Sequence, residues 1–205
     1  VAAGGEARAK GKVVIATGGL SIPAIGATDF GFRVAQQFGL RTVEPRPGLV
    51  PLTFGDALLE MIRPLSGLAL EAVARAGKSA FREALLFTHR GLSGPAILQA
   101  SSYWREGAPL TLDLVPDRDA TAHLLAGKRA RPKAEPKTIL SELLPQRLAQ
   151  AMATLHLPPR VIGEVGDADL RKLGALLKAW ALKPSGTEGY AKAEVTLGGV
   201  DTAAL

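Results

Sequence analysis

The residues whose types could do chemistry are a glycine turn, isolated histidines and one serine in a glycine-rich setting. Residues 17–19 read Thr-Gly-Gly after an apolar run, and a turn without Cβ atoms lets a ligand approach the backbone closely. His89 stands beside a turn in THRG, whereas His123 and His156 are too far away along the chain to form a local ligand pair. Ser93 in GLSGP lacks the spacing of a nucleophile elbow and is expected to cap a helix.

Several familiar chemistries have no motif in this sequence. Neither GxGxxG nor GxxxxGK[ST] occurs, so we expect no complete phosphate cradle within these residues. The chain has no cysteine, which excludes disulfides, thiolate metal sites and cysteine nucleophiles. We predict no metal site and can single out no catalytic acid or base. The loop 184–189, PSGTEG, could hold an anion, but a plain turn is the better prediction.

The composition predicts a folded chain. Of 205 residues, 47% are hydrophobic, which is enough apolar surface to offset the entropy of ordering. No apolar run approaches the ~18 residues that span a bilayer, and the given sequence opens with no secretory leader. We therefore expect a cytoplasmic protein with no membrane partner.

The positive charge is concentrated in one stretch. The net charge of +6 comes from 25 Lys and Arg against 19 Asp and Glu, a balance that can indicate a nucleic-acid partner. Most of it lies in 128–137, KRARPKAEPK, where two prolines favour a solvated linker. Because no aromatic residues interleave to stack bases, the sequence alone makes a nucleic-acid partner unlikely.

Hydrophobic patterns predict an α/β element followed by a β-rich and then a helical region. Residues 12–16, KVVIA, are typical of a strand buried in a parallel sheet, and the apolar spacing in 29–38 predicts a helix. Further strands are predicted at 49–54, 68–75, 80–88 and 110–115, with a helix at 95–105. Residues 117–181 are helical in pattern, and 190–197 alternate like a strand that places Tyr190, Lys192 and Thr196 on one face. Short strands without a βαβ rhythm indicate a small antiparallel barrel or sandwich.

Four blocks occur in an order that resembles one protein family. They are Ala16-Thr17-Gly18-Gly19 with the residues up to Gly39; Arg46-Pro47 with Leu49–Thr53; 85–101, LLFTHRGLSGPAILQAS; and 185–202, SGTEGYAKAEVTLGGVDT. Together they resemble the bacterial flavoprotein family that includes BaiN and YhiN, often labelled NAD(P)/FAD-dependent or aminoacetone-oxidase-like. The resemblance covers nearly the whole chain.

The resemblance implies an α+β fold in which an insert domain interrupts a Rossmann-like FAD-binding domain. It assigns 1–45 to part of the FAD-binding domain, 46–187 to the insert and 188–205 to a return strand. Within the insert we expect a β-barrel at about 46–115 and 182–187 and a helical part at about 117–181.

The resemblance also implies site residues. It places Ala16, Thr17, Gly18, Gly19, Gly198, Gly199 and Val200 against FAD, with NAD(P)H as a possible reductant. The residues themselves suggest four candidates for the substrate pocket: His89, from its place beside a turn, and Tyr190, Lys192 and Thr196, from their shared strand face.

The function implied is that of an interior piece of a flavin-dependent oxidoreductase that acts on a small organic substrate. The family's GxGxxG and its C-terminal FAD segment have no counterpart in the given sequence, so this piece should bind FAD poorly and be inactive without the remainder of the parent flavoprotein. Two alternatives stay open: a stand-alone binding module without redox chemistry, and a flavin-dependent enzyme that modifies tRNA.

Overall fold

A computed structural model describes residues 9–204 of the chain. The predicted FAD-binding segment 1–45 and the return segment 188–205 each extend beyond these residues. The helices are α1 (Phe30–Gln37), α2 (Asp56–Ile62), α3 (Pro95–Tyr103), α4 (Ala120–Ala130), α5 (Pro136–Leu140), α6 (Gln146–His156) and α7 (Asp167–Lys178). The strands are β1 (Thr42–Gly48), β2 (Leu52–Thr53), β3 (Ala69–Ala76), β4 (Ser79–Phe87), β5 (Gly91–Ser93), β6 (Leu110–Asp113), β7 (Trp180–Leu182), β8 (Gly186–Thr187) and β9 (Val195–Val200).

Within the described residues, seven strands form an antiparallel sheet in the order β7-β6-β3-β4-β5-β2-β8. Its two edge strands, β7 and β8, are separated by residues 183–185 alone. The four Cα–Cα steps from Leu182 to Gly186 span at most about 14 Å, so the sheet must curl until these two edge strands come near each other. A barrel follows from this connection.

The longest hairpin shows how the sequence builds the barrel. β3 pairs with β4 from Ala69↔Leu86 to Ala76↔Ser79 across the two-residue turn 77–78. Gly77 adopts φ +58°, which suits a tight hairpin turn. Alternate β3 residues are buried, as expected for a strand with one face on the core.

The helical part packs at very close range. A Cβ added at Gly174 of α7 would lie 2.7 Å from the Cα of Thr121 and 2.8 Å from its backbone nitrogen in α4. A Cβ at Gly127 of α4 would lie 2.5 Å from the Cγ2 of Ile139. Glycine at both positions therefore sets the separation of these helices, and the α+β architecture predicted from the sequence is confirmed.

A separate ribbon joins the two ends of the described chain. β1 pairs antiparallel with β9, from Thr42↔Val200 to Gly48↔Val195. Two β1 residues, Glu44 and Pro45, lie opposite Gly198 because the register shifts between Val43 and Arg46. This β-bulge bends the ribbon.

The predicted strand at 12–16 is wrong for the described structure. These residues have no regular secondary structure, and the exposed fractions of Val13 and Val14 are 68% and 83%. A buried strand needs neighbours on both sides, and none of the described strands pairs with this segment. The helix after it, α1, agrees with the prediction for 29–38.

Two other strand predictions were too long. Only Leu52–Thr53 of the segment 49–54 is paired, because Leu49 turns the chain at φ +47°. Within 190–197, Tyr190 and Lys192 lie in a turn in which Lys192 N donates to Gly189 O at 3.1 Å. Tyr190, Lys192 and Thr196 therefore do not share a strand face.

Two local predictions about helix ends and charge also need correction. Gly94, at φ +87°, is the N-cap of α3, whereas Ser93 is the last residue of β5. The stretch 128–137 is not a solvated linker, because it contains the last turn of α4 and the start of α5. No helix within residues 9–204 is long and apolar enough to cross a membrane.

Candidate functional site

Polar contacts bind the glycine turn to β9. Thr196 Oγ1 accepts hydrogen bonds from Leu20 N at 2.8 Å and from Ser21 N at 3.1 Å, and it lies 3.0 Å from Ser21 Oγ. A hydroxyl has two acceptor sites and one hydrogen, so Thr196 uses its acceptor sites on the two amides and donates to Ser21. One residue further on, Ile22 N donates to Tyr190 O at 2.9 Å.

Glycine is required where this turn meets the strand. A Cβ at Gly19 would lie 2.6 Å from Thr196 Oγ1 and 2.7 Å from its Cβ. Gly18 adopts φ +73° with no atom near its missing Cβ, so that position has an open side. Among the described residues, the amides of Thr17, Gly18 and Gly19 donate to no protein acceptor. They are therefore suitable donors to a ligand.

The second predicted cofactor segment lies on the ribbon bulge. Gly198 and Gly199 adopt φ +83° and +112°, angles that a residue with a Cβ rarely adopts. A Cβ at Gly198 would lie 2.6 Å from Glu44 O, and a Cβ at Gly199 would lie 3.3 Å from the ring of Phe32. These glycines bring β9 against β1 and α1.

The two predicted cofactor segments meet at one apolar groove of ≈ 850 Å³. Thr17 and Gly18 line it from one segment and Val200 from the other, whereas Ala16 is not in its lining and Gly19 packs against Thr196 instead. The rest of the lining is Val13, Val14, Ile15, Gly31, Phe32, Val34, Ala35, Phe38 and Leu40. Apolar walls with unpaired amides at one end can hold a large, mostly apolar ring system with a polar edge.

The structure separates the four predicted substrate-pocket residues. Thr196 is engaged with the glycine turn, and Lys192 is exposed in the turn before β9. Tyr190 is half-buried, and burial followed by the charge of Glu44 raises the pKa of its phenol, so the hydroxyl keeps its proton at neutral pH. His89 lies in a different cleft.

The cleft at His89, hereafter the barrel cleft, has a volume of ≈ 830 Å³. It is lined by Thr53, Phe54, Leu59, Arg63, His89, Arg90, Ser185 and Thr187. The loop expected to be a plain turn thus contributes Ser185 and, through β8, Thr187. Sequence reasoning missed Arg63, and the one signal for Arg90 was its place beside His89 in THRG.

The described residues contain no cluster of three or more His, Asp or Glu side chains that could hold a metal ion. The predicted site residues that line a cavity lie in the apolar groove and in the barrel cleft.

Comparison with known proteins identifies a family model and two curated relatives. Residues 46–195 match a family model described as the HI0933-like protein barrel and H2TH domain. The chain is 47% identical over 193 residues to a protein of Escherichia coli K12 and 41% identical over 193 residues to one of Haemophilus influenzae Rd, both named ribosomal RNA dihydrouridine synthase. Each match covers 93% of this chain and 48% of the relative, so the chain spans about half the length of these curated relatives.

Proposed function

Because this chain belongs to the HI0933-like family, whose barrel and H2TH domain it contains, we propose that it is the central part of a flavin-dependent enzyme that reduces uridine in ribosomal RNA to dihydrouridine. The family is flavoprotein-related, and the relatives' name supplies the RNA substrate. The observation that carries the proposal is the meeting of residues 17–18 and Val200 at one apolar groove.

The groove fits one side of a flavin. Thr17 and Gly18 offer amides that no described acceptor uses, and Gly18 leaves space where a side chain would project. Phe32 and Val34 supply apolar wall. FAD would be held by Thr17 and Gly18 on one side and by Val200 on the other, with Gly198 and Gly199 shaping the wall.

The chemistry divides between cofactor and protein. A bound flavin would supply the hydride for one carbon of the uracil C5=C6 double bond, a proton from solvent or a protein acid would complete the other carbon, and NAD(P)H is the reductant class that would return two electrons to the flavin. Thr196 fixes the position of the glycine turn, and the groove's apolar side chains exclude water from the ring. Tyr190 contacts the same turn through its backbone carbonyl, which accepts from Ile22 N, and we propose that its protonated phenol donates a hydrogen bond to the substrate.

The remainder of the parent protein completes the cofactor site. Val13, Val14 and Phe38 are 68%, 83% and 79% exposed, and all three line the apolar groove, so their exposed apolar surface is clustered rather than scattered. The relatives are about twice as long as this chain. We propose that their additional residues cover this face and supply the pyrophosphate cradle.

The choice of RNA over a small organic substrate follows the relatives' name. A small molecule was the leading expectation from the sequence, and a flavin enzyme that modifies RNA was the alternative. Both need the same groove. They differ in whether a polyanion must also be bound, and therefore in the product that an assay would detect.

The activity test uses the full-length protein that contains these residues. Unmodified ribosomal RNA is incubated with the protein, FAD and NADPH, and the nucleosides are analysed by mass spectrometry. We expect uridine to gain two hydrogen atoms at a specific position. NADPH oxidation with a small organic acceptor and no change in the RNA would overturn the substrate assignment.

The cofactor test uses a glycine substitution. In the full-length protein, Gly18→Val should weaken FAD binding because the new side chain occupies the open side of the turn and strains φ +73°. Gly11→Val is the matched control, since nothing lies within 4 Å of its Cβ position. Equal flavin content in both variants would remove residues 17–18 from the site. The 205-residue chain alone should remain colourless after gel filtration with FAD.

A further inference from the structure

We infer that the barrel cleft binds the sugar-phosphate backbone of the RNA strand that carries the reduced uridine; this inference rests on the proposed function. The cleft opens between β2, β8 and the turn before β5. It is separate from the apolar groove, with which it shares no lining residue.

Two arginines lie at the rim of the cleft. Arg63 and Arg90 line it beside His89. Among the described residues, Arg63 makes no ion pair and its side chain donates no hydrogen bond. Arg90 lies 3.5 Å from Glu188, and the exposed fraction of its side chain is 59%. The guanidinium of Arg63 is thus available to a phosphate, for which Arg has a matching donor geometry.

The inner walls fit a nucleotide rather than an inorganic anion. Phe54 and Leu59 provide an apolar surface, and Thr53 and Ser185 provide hydroxyls whose oxygens are 3.4 Å apart. Such a long contact is weak, so either hydroxyl can turn to a ligand at little cost. A cavity of ≈ 830 Å³ lies within the usual range for ligand sites, about 300–1,000 Å³.

The most basic stretch of the sequence is a weaker candidate. Within 128–137, Lys128 pairs with Asp167 at 2.7 Å, Lys137 pairs with Glu135 at 2.6 Å, and Arg131 pairs with Glu142. Three of the five cations in this stretch are therefore paired with carboxylates at the protein surface. In the barrel cleft, Arg63 has no such ion pair among the described residues, and it lies beside hydroxyls and an apolar wall.

The position of the cleft suits a strand that also reaches the groove. Thr187 lines the cleft, and three residues later Tyr190 O accepts the hydrogen bond from Ile22 N beside the glycine turn. Three residues span at most about 11 Å. An RNA held in the cleft can therefore present a neighbouring, unstacked base toward residues 17–19.

The test measures binding of fluorescein-labelled oligouridine to the 205-residue chain by anisotropy at several salt concentrations. Arg63→Gln should weaken binding about tenfold, the effect of losing one charge-assisted hydrogen bond. It should also reduce the slope of log K against log salt by about 0.7, since one phosphate contact is lost. Arg75→Gln, an exposed arginine on β3, is the control of equal charge change and should weaken binding less than twofold.

A second variant tests the sign of the effect. Glu188→Gln releases Arg90 from its ion pair and removes a carboxylate from the rim, so it should tighten binding about threefold. Unchanged melting curves would show that both variants fold. Equal weakening by Arg63→Gln and Arg75→Gln, or weaker binding by Glu188→Gln in a folded protein, would overturn the assignment.

The two proposals can fail separately. If the full-length protein forms dihydrouridine while Arg63→Gln leaves oligouridine affinity unchanged, the barrel cleft is not the RNA site and the proposed function stands. If no dihydrouridine forms but the Arg63→Gln and Glu188→Gln effects are observed, the cleft binds RNA and the proposed reaction is wrong.

Discussion

Replacement of Thr196 by valine should release the glycine turn from β9 without disturbing the barrel. The hydroxyl of Thr196 receives the amides of Leu20 and Ser21 at 2.8 and 3.1 Å, and valine keeps the branched shape while removing that acceptor. In the variant, the segment would keep the hydrogen bond that Ile22 N donates to Tyr190 O.

The magnitude follows from the two lost hydrogen bonds. Each hydrogen bond contributes about 0.5–1.5 kcal/mol net. Because the two donor amides are half-buried, water can form hydrogen bonds with them in the variant and offset part of the lost free energy. The free energy for opening the segment should fall by about 1–2 kcal/mol. Because about 1.4 kcal/mol corresponds to a factor of ten, the amides of Leu20 and Ser21 should exchange hydrogen about 5 to 30 times faster.

Amide hydrogen exchange measured residue by residue checks this. Thr111→Val is a suitable control, because Thr111 is half-buried in β6 and its hydroxyl makes no hydrogen bond within residues 9–204. In the full-length protein, the Thr196 variant should also lose flavin affinity. If Leu20 and Ser21 exchange at the wild-type rate in the variant, the hydroxyl does not hold the turn and the positioning argument fails.

Three further substitutions test packing and charge. Gly174→Ala should lower the free energy of unfolding by about 1–3 kcal/mol in urea titrations, because its Cβ meets the backbone of α4; an unchanged midpoint would contradict this packing. Lys178→Met should cost roughly 2 kcal/mol, since it leaves the buried Asp113 carboxylate, 2.7 Å away, without its cation; adding Asp113→Asn should recover part of the loss. The hydrogen bond from Arg131 lowers the pKa of Glu142 below 4.5. The stability that the Glu142–Arg131 pair contributes to the folded state is therefore present above pH 4.5 and lost as the pH falls through the lowered pKa of Glu142. Glu142→Gln should reduce Tm at neutral pH, with the difference from wild type shrinking in acid.

Sequence reasoning worked where the pattern and the packing agree. The strands predicted at 68–75 and 80–88 match β3 and β4 almost to the residue, because both strands contribute buried side chains to the core of this same chain. The apolar stripe at Leu170, Leu173 and Leu177 predicts α7 for the same reason.

The failures have specific physical causes. KVVIA at 12–16 has the pattern of a strand buried on both faces, but a strand forms only when partner strands are present, and none of the described strands supplies one. Apolar and polar residues do alternate in 190–197. Gly189, at φ +69°, nevertheless starts a turn that the alternation does not reveal, and the strand begins only at Val195. The sequence gives no signal that Arg63 lines the barrel cleft, because the cleft forms only when β2 pairs with β8, whose residues are more than a hundred positions away along the chain.

The distribution of buried side chains explains why the barrel cleft is formed within this chain, whereas the apolar groove depends on additional protein. Apart from Ala35 and Ala193, every buried apolar side chain of the described chain lies between Val50 and Leu182. The barrel and helices, and with them the barrel cleft, therefore carry their own hydrophobic stabilisation. The glycine turn has no such support, because polar bonds to Thr196 and Tyr190 fix its position while the apolar face beside it is exposed. A cofactor bound there would bury that face from one side and would need further protein on the other. The proposed RNA binding at the barrel cleft can consequently be tested in this chain alone, whereas the proposed flavin binding at the apolar groove must be tested in the longer protein.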